Sequence, residues 1–145
     1  MDAIPQFGNP VGEFRDRPGA YGVIFDADAK LLVVVAKERY HLPGGGIDEG
    51  EDPEQALHRE IREETGYAVG ALHFFGRANQ FLETKDLGPI NKLGVYFLGR
   101  NAVASDPDSG EEDHVAQWID PQAFLSSTAH EFHRWAVALA LEIGD

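Results

Sequence analysis

Cysteine is absent, so disulfides and thiolate metal sites are excluded, which fits a reducing compartment. Basic residues are scarce: 12 Lys and Arg stand against 25 Asp and Glu, a net charge of −13. Gripping long nucleic acid through its backbone needs dense Lys and Arg. An anionic membrane surface repels such a chain as well. Neither partner is expected, but a small phosphorylated ligand is compatible if metal ions and a few local cations hold it. No apolar run approaches the roughly 18 residues of a membrane span. No basic segment followed by an apolar stretch opens the chain, so no signal peptide is expected and a cytoplasmic location is. With 145 residues, 43% of them hydrophobic and 26% charged, the composition is that of one globular domain.

What is present concentrates between Gly45 and Tyr67, GGIDEGEDPEQALHREIREETGY. Asp52 suits an N-cap, Pro53 the first helical position, and Gln55 the far side of a capping box. Gly66 is a natural C-terminal stop. The residues between read as a helix of about three turns. At about 100° per residue, Glu60, Glu63 and Glu64 share an arc of about 100°. Ala56, Leu57 and Ile61 border that arc, while His58 and Arg62 lie opposite. The carboxylates therefore sit beside the buried face. A charge run on a helix is usually a solvated face. Three carboxylates so placed repel one another and make sense where a divalent cation offsets them. Magnesium takes hard oxygen ligands, a few carboxylates together with substrate phosphates.

Before this stretch, Tyr21–Phe25 and Leu31–Ala36 read as strands, joined by the turn Asp26–Lys30 into a hairpin. Val33–Val35 is unbroken and β-branched, as in a strand covered on both faces. Lys37 and Arg39 follow as candidate contacts to substrate phosphates, with ordinary surface charge as the alternative. His41 reads as structural. Gly44-Gly45-Gly46 reads as a loop that a ligand can approach closely. Residues 1–18, rich in Pro and Gly, read as an irregular arm with Phe7 and Phe14 as anchors. Arg15 and Arg17 can reach phosphates from there, though terminal arginines are usually solvated. After the helix, residues 71–82 read as strand with a kink near Gly76. Within them Phe74, Phe75 and Phe81 serve base stacking or, for at least two, core packing. Asp86–Asn91 reads as turn or loop, Leu93–Leu98 as strand, Asn101–Asp113 as polar loop, and Val115–Ile119 as strand. Asp120-Pro121 starts a short helix. Thr128 and Glu131 form a second capping box for a C-terminal helix with Phe132, Trp135, Ala136, Leu139 and Ile143 at helical spacing. That helix covers the sheet or, alternatively, forms a homodimer face. The pattern alone gives α/β or α+β.

The spacing of Gly45, Glu51, Arg59-Glu60, Glu63-Glu64 and Gly66 resembles the signature of the Nudix hydrolases. Every fixed polar and glycine position is met. Tyr67 stands where an aliphatic residue is usual. The resemblance implies an α/β Nudix-type α/β/α sandwich with a mixed β-sheet, here over residues 19–145. It implies metal-assisted cleavage of a pyrophosphate bond in a nucleoside diphosphate derivative, with Mg2+ as the cofactor and Mn2+ as the alternative ion. It implies Glu60, Glu63 and Glu64 as metal ligands, with the Gly44 carbonyl completing the shell. In some members the residue matching Glu60 is also the general base. Arg59 orients a catalytic carboxylate, and Gly45 and Glu51 hold the loop-to-helix geometry. Glu112, six residues before Trp118, is the further glutamate that some members place at the metals, preferred on that spacing to Glu111. Asn79–Thr84 lacks the proline of ADP-ribose hydrolases and the tyrosine of dinucleoside polyphosphate hydrolases. That favours a MutT-like enzyme turning a nucleoside triphosphate into monophosphate and pyrophosphate. Dinucleoside polyphosphates and nucleotide sugars are the alternative substrates. A catalytically silent nucleotide-binding module is the other reading, although no signature glutamate is lost.

Overall fold

The computed structural model describes residues 3–10, 12–105 and 115–144. In chain order the elements are β1 (Gln6–Phe7), β2 (Arg15–Ile24), β3 (Leu31–Ala36), β4 (Arg39–His41), β5 (Gly44–Gly46), α1 (Pro53–Thr65) and β6 (Tyr67–Ala68). Then come β7 (Leu72–Thr84), β8 (Gly88–Gly99), β9 (Val103–Ala104), β10 (Val115–Ile119), α2 (Pro121–Leu125) and α3 (Glu131–Ile143). One sheet runs β1-β7-β8-β2-β5 and a second β10-β3-β4, with a short β6-β9 pair beside them. The first sheet is mixed: β1 with β7 and β2 with β8 are parallel, the other pairs antiparallel.

Side chains alternate faces along a strand, and here both faces are covered. Tyr21, Val23, Phe25, Leu31 and Val33 pack with Phe124, Phe132, Ala136 and Val137 of α2 and α3. Ala20, Ile24 and Leu32 point the other way, onto Leu57 and Ile61 of α1. This is the α/β/α sandwich, and it explains why β2 and β3 read as near-continuous apolar runs. Leu57 and Ile61 are fully buried, each stabilising by about 1.5–3 kcal/mol. Tyr67, the departure from the aliphatic pattern, belongs to the same α1-side core. Its ring meets Trp118 edge-on at 5.5 Å, and its hydroxyl accepts from Trp118 Nε1 at 3.1 Å.

Several local expectations change in the fold. The turn at Asp26 exists: its Oδ1 accepts from the N–H groups of Asp28 at 2.9 Å and Lys30 at 2.8 Å. Yet β2 and β3 do not form a hairpin. After one bridge, Phe25 to Leu31, they enter different sheets. Turn chemistry is local, whereas pairing goes to the ladder that buries most, and β8 offers β2 a ten-residue register from Arg15–Ile90 to Ile24–Gly99. The glycine loop is itself a strand, β5, paired to β2 through Tyr21–Gly44. Residues 15–18 begin β2, and Gln6–Phe7 pair with Asn79–Gln80 of β7. The residues expected as arm thus carry two stretches of strand. The Phe14 ring packs at a tilt of 57° against Phe81 with centroids 4.7 Å apart. The kink in β7 is a β-bulge between Phe74 and Gly76.

Strand β8 starts at Gly88, inside the stretch expected as loop, because Thr84 Oγ1 closes a tight turn by donating to the Gly88 carbonyl and accepting from Leu87 N–H. Pro89 fits there since the β2 ladder begins only at Ile90. The Asp120 cap is present, its side chain accepting from Gln122 N–H. Thr128 does not cap α3. The N-cap residue is His130, without a side-chain cap bond.

Candidate active site

Helix α1 starts and stops where its caps dictate. Asp52 accepts from Gln55 N–H at 3.1 Å, and Gly66 turns left-handed with φ 77°. Burial of Ala56, Leu57 and Ile61 then lays the helix's last turns beside β5. A Cβ added to Gly45 would stand only 3.1–3.3 Å from the Glu60 carboxylate, so Glu60 lies directly over that glycine. Gly44 N–H donates to Glu64 Oε1 at 2.8 Å. Two of the three glutamates thus rest on the glycine strand. Their charges converge below it: the buried Tyr21 phenol has its pKa raised by burial first, then by Glu64 and Glu60. Glu63 is half exposed.

Arg59 ties the acids together. Its guanidinium lies 3.1 Å from Glu51, 3.1 Å from Glu60 and 3.4 Å from Glu63. The i,i+4 pair with Glu63 exists but is the longest of the three. Glu51 also accepts from Asp48 N–H, and that bond, ahead of Arg59, holds its carboxyl below the usual range. In turn Glu51 is the main cause of the raised Arg59 pKa. Among the described residues no three acids or imidazoles are already gathered as a metal-binding group. Arg59 bridges Glu60 and Glu63 instead. The donors are carboxylates beside a glycine backbone, an all-oxygen set whose chemistry suits a hard divalent cation.

Strand β5 and Glu64 form one side of a cleft of about 610 Å³. Arg17, Lys37, Lys92, His41 and His130 line it as well. Lys37 is therefore where its sequence position suggested. Arg39 is not in the lining; its Nη1 lies 3.0 Å from His130 Nε2 and positions that ring. None of Phe74, Phe75 and Phe81 lines this cleft. Lys92 and His130 were not foreseen. Burial, then Arg17, lowers the Lys92 pKa. Burial, then the Arg39, Lys92 and His41 charges, lowers His130 to about 4. On the cleft floor, His133 Nδ1 lies 2.9 Å from the Tyr96 hydroxyl, and burial keeps the His133 pKa well below its ordinary value. Glu112 and its neighbours Glu111, Asp113 and Asp108 lie outside the described residues.

The model of the NUDIX domain matches residues 15–139. The chain belongs to the NUDIX family. It is a Nudix hydrolase, an enzyme acting on acid anhydrides. Its sequence is 37% identical over 123 residues to an RNA pyrophosphohydrolase of Sphingopyxis alaskensis, covering 72% of this chain and 77% of that one. It is 43% identical over 107 residues to a Bacillus subtilis protein provisionally named 8-oxo-dGTP diphosphatase, covering 71% and 66%. The MutT protein of Methanosarcina mazei superposes with a TM-score of 0.69 at 19% identity, over 92% of this chain and 99% of that one. That likeness bears out the MutT-like α/β/α fold. Among the described residues of this Nudix hydrolase, no helix is long and apolar enough to cross a membrane.

Proposed function

We propose that this Nudix hydrolase cleaves a nucleoside triphosphate to the monophosphate and pyrophosphate in the cytoplasm, using magnesium, with manganese as the alternative ion. The observation that carries the reading is the two-sided cleft: Glu64 lines it together with Arg17, Lys37 and Lys92, and Glu60 lies over Gly45 of the same glycine strand. An acidic pocket alone would repel a polyphosphate. Relatives named as an RNA pyrophosphohydrolase and an 8-oxo-dGTP diphosphatase both suggest phosphate chains of this kind. A chain carrying −13 repels a long RNA backbone, which favours the free nucleotide.

The residues that would hold the ion are Glu60, Glu63, Glu64 and the Gly44 carbonyl, with Glu112 as a further ligand. When bound, the cation neutralises phosphate charge and orients the leaving group. Glu60 takes the proton of the attacking water. The water oxygen bonds to phosphorus, and the bond to the bridging oxygen breaks to release pyrophosphate. Arg59, 3.1 Å from Glu60, holds that carboxylate in position, and Lys37 meets the phosphate chain.

The test is a nucleotide panel including RNA 5′ ends, assayed for phosphate and pyrophosphate release with magnesium, manganese or chelator. Nucleoside triphosphates should react only with metal. Glu60→Gln should lower turnover by about 10²–10⁴-fold with melting unchanged. Full turnover in chelator, or a variant within a few-fold of the parent, would overturn the reading.

A further inference from the structure

Arg17 of β2 and Lys92 of β8 are direct partners in the parallel ladder. They stand on the same face as the partners Tyr21 and Tyr96, two steps of two further along each strand. Between the two pairs lies Gly19 opposite Gly94. Neither glycine has room for a side chain, because the tyrosines lean over them. A Cβ on Gly19 would stand 2.8 Å from the Tyr21 hydroxyl, and one on Gly94 would stand 3.0 Å from the Tyr96 ring. The ring edges thus form a floor, and the two cations form its rim inside the cleft.

Like charges directly opposite across a ladder destabilise a sheet. Here the cost is higher because Lys92 is largely withdrawn from water. The charge that acts on Lys92, among the described residues, is that of Arg17. Among the described residues neither cation makes an ion pair; the salt bridges there all belong to Arg59. Buried charges are ordinarily paired, so a ligand that supplies the missing counter-charge would relieve this repulsion. A ligand that does so in this cleft carries closely spaced negative oxygens.

We propose that Arg17 and Lys92 form an oxyanion clamp for the part of the substrate's phosphate chain beyond the carboxylate side, selecting nucleoside triphosphates over diphosphates esterified at both ends. The selection rests on the hydrolase reading above, but the clamp does not. A triphosphate offers a terminal dianionic group that two adjacent cations can share. A nucleotide sugar offers a neutral ring there.

The probe is inorganic triphosphate, titrated into the full chain in chelator and read by calorimetry and thermal melting. The parent should bind it and melt higher. Lys92→Met should melt above the parent when free, since a buried like charge is gone. It should bind triphosphate at least tenfold more weakly, and Lys92→Arg should restore binding. In turnover, Arg17→Gln and Lys92→Met should raise KM for nucleoside triphosphates far more than KM for a nucleotide sugar. Parent-like triphosphate binding by Lys92→Met would overturn the clamp. So would a free Lys92→Met protein that melts below the parent, because Lys92 would then be a structural residue. If no nucleoside triphosphate is hydrolysed yet Lys92-dependent binding is seen, the triphosphate-substrate reading fails and the clamp stands.

Discussion

A methyl group on Gly45 would crowd the Glu60 carboxylate at 3.1–3.3 Å. That carboxylate must give by a few tenths of an ångström, less than the misplacement of about 1 Å that can cost about 10²-fold in rate. Gly45→Ala should therefore lower kcat by about tenfold, with the melting temperature close to the parent's. A kcat within a few-fold of the parent would show that Glu60 need not stay over Gly45. The box residues were legible one by one because their spacing is itself the signal. Lys92 was not: a lone lysine in a strand carries no pattern until its ladder partner is known to be Arg17. His130 is equally silent in sequence, since its lowered pKa comes from burial and from charges on two other elements, β4 and β8. Arg39 was legible as a cation near the glycines, but its use in holding His130 depends on where α3 begins.

The β3–β4 connection is a two-residue loop, because Ala36 pairs with Arg39. Lys37 and Glu38 carry φ values of 52° and 60°. Such turns need left-handed backbone at both positions and favour Asn or Gly. A residue with a Cβ there costs about 1–2 kcal/mol, so Lys37 is presented to the cleft on strained backbone. Glu38 is exposed and outside the lining. Glu38→Gly should stabilise the protein by up to about 1 kcal/mol, the greater freedom of unfolded glycine offsetting part of the relief. Denaturant unfolding checks it, and an unchanged or lower midpoint would refute it. The caps of α1 could be read because they are decided within a few residues. The partners of β2, β3 and β5 could not, because nothing near them in sequence says which ladder they join.

At the scale of the molecule, two histidines against the same cleft are kept neutral. His130 has its pKa lowered to about 4, and that of His133 lies well below its ordinary value. An unfolded histidine titrates near about 6.5. Between those values the unfolded chain binds more protons, so stability rises with pH. This contribution is fully present above about 6.5 and is lost as the pH falls toward about 4. Melting temperatures should already drop between about pH 6.5 and 5, before ordinary carboxylates titrate near about 4. His130→Gln should flatten that slope; an identical slope would remove His130 as its source. The class of fold was legible through the resemblance, while composition and periodicity left α/β and α+β open. The strands in residues 1–18 escaped notice because their partners lie in β7 and β8.

Those long reaches govern the order in which a newly made chain can close. β2 waits for β8, from Arg15 with Ile90 onward, and β3 waits for β10, from Leu31 with Ile119 to Val35 with Val115. Pairing of this kind makes folding slow, since loop closure precedes any reward. During synthesis the apolar runs of β2 and β3 emerge well before their partners do. The first ladder can be completed once residue 99 has left the ribosome, the second only after residue 119 has. A nascent chain stalled before β10 leaves β3 without that neighbour, an open strand edge of the sort that recruits other chains.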